Sequence, residues 1–148
     1  MKLTPINKRK AGMTLLELTV VILVLLSLIS ILFIGARAWK KGSDRAASIL
    51  QIRNVQQAVR SYANMNGINP GETPTMAAGK TLRTEIFGEG KFITNDPTTG
   101  THPAGTKFGY IIDSEDDVPD IGVLYMTVEG DTEDDIATDY IPTEIGDW

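Results

Sequence analysis

Arg9-Lys10-Ala11-Gly12-Met13-Thr14-Leu15-Leu16-Glu17-Leu18 runs without interruption into an apolar segment that ends near Ala36. From Leu18 to Gly35 there are eighteen residues with no charge and no proline. That is about the length needed to cross the hydrocarbon core of a bilayer. Four cations (Lys2, Lys8, Arg9, Lys10) precede it, and one carboxylate, Glu17, sits just inside its start. A carboxylate at a bilayer edge is costly unless neutralised or paired. A cut after Gly12 would give Met13 a new α-ammonium, with Glu17 four residues along on the same helix face. In a side-by-side array, Glu17 of one copy then pairs with a neighbour's terminal ammonium and fixes the stagger between them.

Basic residues, a glycine, a variable residue, then Thr14-Leu15-Leu16-Glu17 and a long apolar run: this order resembles the class III leader of type IV pilins and type II secretion pseudopilins. The resemblance implies that a prepilin peptidase cuts the Gly12–Met13 bond and methylates the new terminus at Met13. It implies that Glu17 guides subunit addition to a helical filament. The fold class it implies is α+β, a pilin-like lollipop with one long N-terminal helix packed on a small antiparallel β-sheet head. The expected boundaries are a leader at 1–12, a transmembrane and polymerisation helix at 13–37, the amphipathic half of that helix at 38–66, and the head with an acidic C-terminal loop at 67–148. Two departures stand out. The family's first mature residue is usually Phe where this chain has Met13, and its frequent helix-breaking proline is replaced by Ile34, with Gly35 next to it.

Two plainer readings compete. Ala36-Arg37-Ala38 supplies the small-x-small pattern of a secretory signal peptide, although such signals have apolar cores of about 7–15 residues and this one is longer. An ordinary single-pass anchor would have no use for Gly12 or Glu17. N-terminal sequencing separates the three, reading Met13, Trp39 or the intact start.

The chain has 148 residues and a net charge of -5, enough for one modest domain beyond the apolar segment. Removing the four leader cations leaves 10 basic against 19 acidic residues, so the remainder carries −9 and has no general attraction for nucleic acid. There is no cysteine, so something other than a disulfide must hold the loops. Four Lys/Arg flank the apolar run on each side (Arg37, Lys40, Lys41 and Arg45 follow it), which makes the positive-inside comparison a tie. The leader resemblance alone puts the N-terminus in the cytoplasm.

No proline occurs from Met13 to Asn66, a helix of about 80 Å if continuous. Ile52, Val55, Val59 and Tyr62 form an apolar stripe bordered by Ile49 and Ala63, with Arg53, Gln56, Gln57 and Arg60 expected on the surface. Gly67 is placed as a terminating glycine and Pro70 prevents resumption. Residues 68–80 read as a loop, Thr81–Phe87 as a helical turn, and Lys107–Ile112 and Gly122–Val128 as two strands.

Few stretches suggest chemistry. Gly79-Lys80-Thr81 resembles the end of a phosphate-binding loop, but Pro74 stands where its first glycine belongs. His102 is the only histidine and is expected to be a solvated loop residue. No nucleophilic triad can be argued from it, so no enzyme is expected. The acidic end is more telling, with thirteen carboxylates in 113–147 and no Lys or Arg after Lys107. Asp131, Glu133, Asp135 and Asp139 have an EF-hand-like spacing, but Ile136 and Pro142 replace the required Gly and Glu. An acidic solvated surface is one reading. The other follows from the resemblance, which implies a Ca²⁺-closed C-terminal loop with Asp131, Asp135 and Asp139 as ligands and a chain ending in tryptophan, here Trp148. Trp39, Lys40, Lys41 and Arg45 read as a membrane-interface anchor.

The reading that results is a structural subunit, the major pseudopilin of a type II secretion system. A type IV pilus subunit is the alternative within the family, and a membrane-anchored calcium-binding module is the alternative outside it. The implied partners are copies of itself, minor pilin-like subunits, a prepilin peptidase, an inner-membrane assembly platform and membrane lipid. The implied location is the bacterial inner membrane, single-pass with the head in the periplasm, and then a periplasmic or surface filament.

Overall fold

A computed structural model describes residues 12, 14–130 and 136–146. One long helix, α1 (Leu15–Asn66), is followed by a short helix, α2 (Leu82–Ile86), and two strands, β1 (Phe108–Ile112) and β2 (Met126–Gly130). Single 3-10 turns lie at Pro97–Thr99 and Ala137–Tyr140. The architecture is α+β, as expected.

α1 stops where the chain changes hand. Gly67 takes φ +66, and the Ile68 amide donates back to Ala63 O at 2.9 Å. This is the Schellman closure, in which a left-handed glycine lets the outgoing amide reach a carbonyl of the last turn. Ile34 and Gly35 lie inside the helix, which is continuous through both.

The chain forms two compact units divided at Trp39 and Lys40. In the first, every described residue is exposed, including all its Leu, Val and Ile side chains. α1 is long and apolar enough here to cross a membrane, and none of that apolar window is buried within the chain. The second unit has a core. Ile52, Val55 and Val59 of α1 are fully buried with Leu82 and Ile86 of α2, Val118, and Met126 and Val128 of β2.

β1 and β2 pair antiparallel, from Phe108 opposite Gly130 to Ile112 opposite Met126. Phe108 and Tyr110 of β1, and Met126 and Val128 of β2, point into the core, so the two-residue period of each strand is kept. Gly130 is required by space. Its φ is +122, and a Cβ there would collide with the Lys107 carbonyl and approach Phe108 Cα to 2.9 Å.

Two sequence expectations need correction. β2 begins at Met126 rather than Gly122, and Gln56 is buried at 3% exposure rather than on the surface. One contact explains both. The Gln56 amide donates to Val123 O at 3.0 Å and accepts from the Tyr125 amide at 2.9 Å. Its side chain thus takes the backbone groups that a neighbouring strand would have used. Arg60, one turn on, donates to Pro119 O and Asp120 O at 2.8 and 2.9 Å.

Candidate functional site

The start of α1 is a capping box. The Thr14 hydroxyl accepts from the Glu17 amide at 3.2 Å, while Glu17 Oε2 accepts from the Thr14 amide at 2.8 Å and its hydroxyl at 3.1 Å. A Thr-x-x-Glu sequence ahead of an apolar run satisfies two helix-end amides reciprocally. Both bonds to the carboxylate fall on Oε2. Farther along, Thr19, Ser27 and Ser30 each return their hydroxyl proton to a carbonyl of the preceding turn. Those three side chains therefore make no demand on a neighbour. Gly12 is exposed, with no atom within 4 Å of where a Cβ would sit. Met13 lies outside the described residues.

Of the three expected calcium ligands, Asp131 and Asp135 also lie outside the described residues. Asp139 lies on the Ala137–Tyr140 turn, and its Oδ2 is 3.1 Å from Arg45 and 3.4 Å from Lys41. A divalent cation there would face a guanidinium and an ammonium at close range, so this carboxylate as arranged does not fit the ligand role. Among the described residues no three acidic or histidine side chains are grouped so as to hold a metal. The basic cluster after Trp39 is also engaged, Lys40 with Asp44 at 2.8 Å and Lys41 and Arg45 with Asp139. Trp39 itself is 79% exposed.

His102 overturns the solvated-loop expectation. It is 2% exposed, its ring 4.8 Å from Tyr110, 5.3 Å from Tyr140 and 5.7 Å from Phe108 between centroids. The bonding fixes its proton. Nδ1 accepts from the Ala104 amide at 3.1 Å, so the neutral ring carries its hydrogen on Nε2, which faces Ser48 Oγ at 3.0 Å. Ser48 in turn donates to Tyr140 O at 2.9 Å. A Ser–His pair at this distance invites a catalytic reading, but the polarity is reversed. A general base needs Nε2 free to take the serine proton, whereas here Nε2–H gives and the serine proton is spent on a carbonyl. Ser48 is also wholly buried. Burial lowers the His102 pKa, although Asp44 pulls the other way. The Tyr110 hydroxyl is the one buried side-chain polar atom among the described residues with no hydrogen-bond partner. Burial pushes its pKa up, and nearby Ser48 offsets part of that.

Arg83 of α2 does what the missing disulfides would have done. It donates to Asp96 from Nε at 2.8 Å, to Glu115 at 2.8 Å and to Thr98 at 2.5 Å. One side chain on α2 thereby holds the 96–98 and 113–117 segments. Burial raises the Asp96 carboxyl pKa, but hydrogen bonds from Thr98 and Arg83 outweigh it and the net shift is downward. Lys80 and Thr81 are structural. Lys80 pairs with Glu85 at 2.8 Å, and Thr81 caps α2 by accepting from the Thr84 amide at 3.2 Å.

The sequence reading missed Ser48, Gln56, Arg83 and His102. Only the first two left a trace. Ser48 and Gln56 stand one turn either side of Ile52, on the buried stripe, where a polar residue needs a partner. No family model, no curated protein and no solved structure matches this chain.

Proposed function

We propose that the chain is a structural subunit which polymerises through its N-terminal helix, a pilin-like protein of the major pseudopilin type. The observation that carries this reading is a helix whose apolar half has none of its hydrophobic window buried among the described residues and bears a single carboxylate at its start. Such a surface requires lipid or other copies of itself. In lipid the side chains are already out of water, so assembly gains little from hydrophobic transfer and depends on packing between helices. Specific register must come from polar groups, and Glu17 is the one charged side chain before Arg37 in this half of the helix. Thr14 occupies Oε2 and leaves Oε1 for the ammonium of a neighbour's Met13, released by cleavage after the exposed Gly12.

The test is the mass of the protein isolated from membranes. Loss of residues 1–12 together with one added methyl group is the expected result. A chain that keeps its first twelve residues would end the proposal.

A further inference from the structure

The last described segment, 136–146, makes polar contacts with α1. Asp139 pairs with Lys41 and Arg45, and Tyr140 accepts through its carbonyl from Ser48. His102 stands at the second of these contacts and touches every element that meets there: Ser48 on α1, Tyr110 and Phe108 on β1, and the Tyr140 ring on the 3-10 turn. Phe108 and Tyr140 also contact each other at 5.0 Å. We propose that His102 is a proton-operated clasp: the neutral ring closes the Ala137–Tyr140 turn onto α1, and protonation opens it.

The geometry dictates the direction. A second proton can go only on Nδ1, which now accepts from the Ala104 amide at 3.1 Å. Protonation turns that contact into two donors facing one another. The ring must then turn or leave, and its own contacts with Ser48 and with the Tyr140 ring are lost with it. The Ala104 amide is the one hydrogen-bond partner of Nδ1, and it is a donor, so no acceptor is in place for the new proton. The ionisable groups on the packed elements are few. Asp44 on α1 favours a charged ring but is itself paired with Lys40. Lys41 and Arg45 each pair with Asp139 next to it. Burial keeps the Tyr110 hydroxyl further from ionisation, and Tyr140 meets the imidazole with its ring. Burial holds the ring below its usual range despite Asp44. The open form therefore binds the proton more tightly than the closed one. Closure is complete above about pH 6.5, the ordinary imidazole value, and is lost as pH falls below it.

Hydrogen exchange of the full-length protein in detergent micelles, followed on peptides covering 137–146, tests this. After correction for the intrinsic rate, protection of the turn is expected to fall by up to about tenfold per pH unit below about pH 6.5, as one linked proton requires. The Ile52–Val59 stretch of α1 should stay protected. His102→Gln keeps a donor toward Ser48 and cannot titrate, so its profile should be flat. Asp44→Asn, outside the hydrogen-bonded clasp, lowers the closed-form pKa further, and it serves if the Gln variant does not fold. It should leave the onset near about pH 6.5 unchanged and deepen the loss of protection at acid pH. A flat profile in the parent protein, the same slope in His102→Gln, or acid protection in Asp44→Asn no lower than in the parent each overturns the clasp.

Discussion

The two halves of α1 have one backbone conformation and opposite surroundings. Up to Trp39 no side chain is buried and almost all are apolar. From Lys40 to Asn66 a stripe of Ser48, Ile52, Val55, Gln56, Val59 and Ala63 is sealed against the head while the opposite side is polar. Helix formation is therefore indifferent to which partner an apolar face finds, and the partner must be read from what surrounds the face. The second half stabilises its own domain. None of the first half's apolar window is buried among the described residues.

The hardest test of that contrast is at Glu17. Glu17→Gln keeps the reciprocal bonds with Thr14, because an amide oxygen accepts as a carboxylate does, but it removes the charge. Filament yield is expected to fall to background in cells, with membrane insertion and the far-ultraviolet helix signal unchanged. Normal filaments with Gln there would show that the residue serves only as a cap.

Matched truncations sharpen the contrast next. Ile52→Ala should cost about 2–5 kcal/mol in a denaturation curve of the head, because a fully buried side chain leaves a cavity. Leu25→Ala, on a residue 52% exposed, should cost the head less than about 0.5 kcal/mol. Equal losses would mean that the first half packs on its own chain after all.

Arg83→Met asks how far one guanidinium replaces disulfides. Removing it leaves Asp96, whose side chain is only 17% exposed, without its cation. The expected cost is about 2 kcal/mol, below the usual range for a buried pair because Arg83 is itself 30% exposed. A loss no larger than that of an exposed surface pair would show that the 96–98 and 113–117 segments hold without it.

Acid titration should give a smaller signal. Hydrogen bonds from Lys80 and Lys91 hold the Glu85 carboxyl down to about 2. A depressed carboxylate contributes stability above its unfolded value of 4.5 and loses it as pH falls toward 2. The slope of stability against pH in that window should flatten in Glu85→Gln. An unchanged slope would mean that the triad is too solvated to matter.

The smallest expected effect is that of calcium. With Asp139 committed to Lys41 and Arg45, the melting midpoint should be the same in millimolar Ca²⁺ and in EDTA. A midpoint raised by Ca²⁺ would return a metal to the 131–135 stretch.

Much of this was legible along the chain. The length of α1, its end at Gly67, the division between an all-apolar and a one-sided half, the α2 turn and β1 all follow from local rules. Periodicity, proline exclusion and the left-handed glycine act within a few residues, so a single sequence records them. The lone carboxylate Glu17 at the edge of the apolar run stood out in the sequence, and the structure adds its bond to Thr14. What only the tertiary structure decided is where long-range polar partners lie. Gln56 meets Tyr125 sixty-nine residues on, Ser48 meets Tyr140 ninety-two on, and His102 closes on Ser48 across fifty-four. The identity of such a residue leaves its environment open, because burial of a polar side chain depends on the partner that satisfies it. That partner is supplied by the fold.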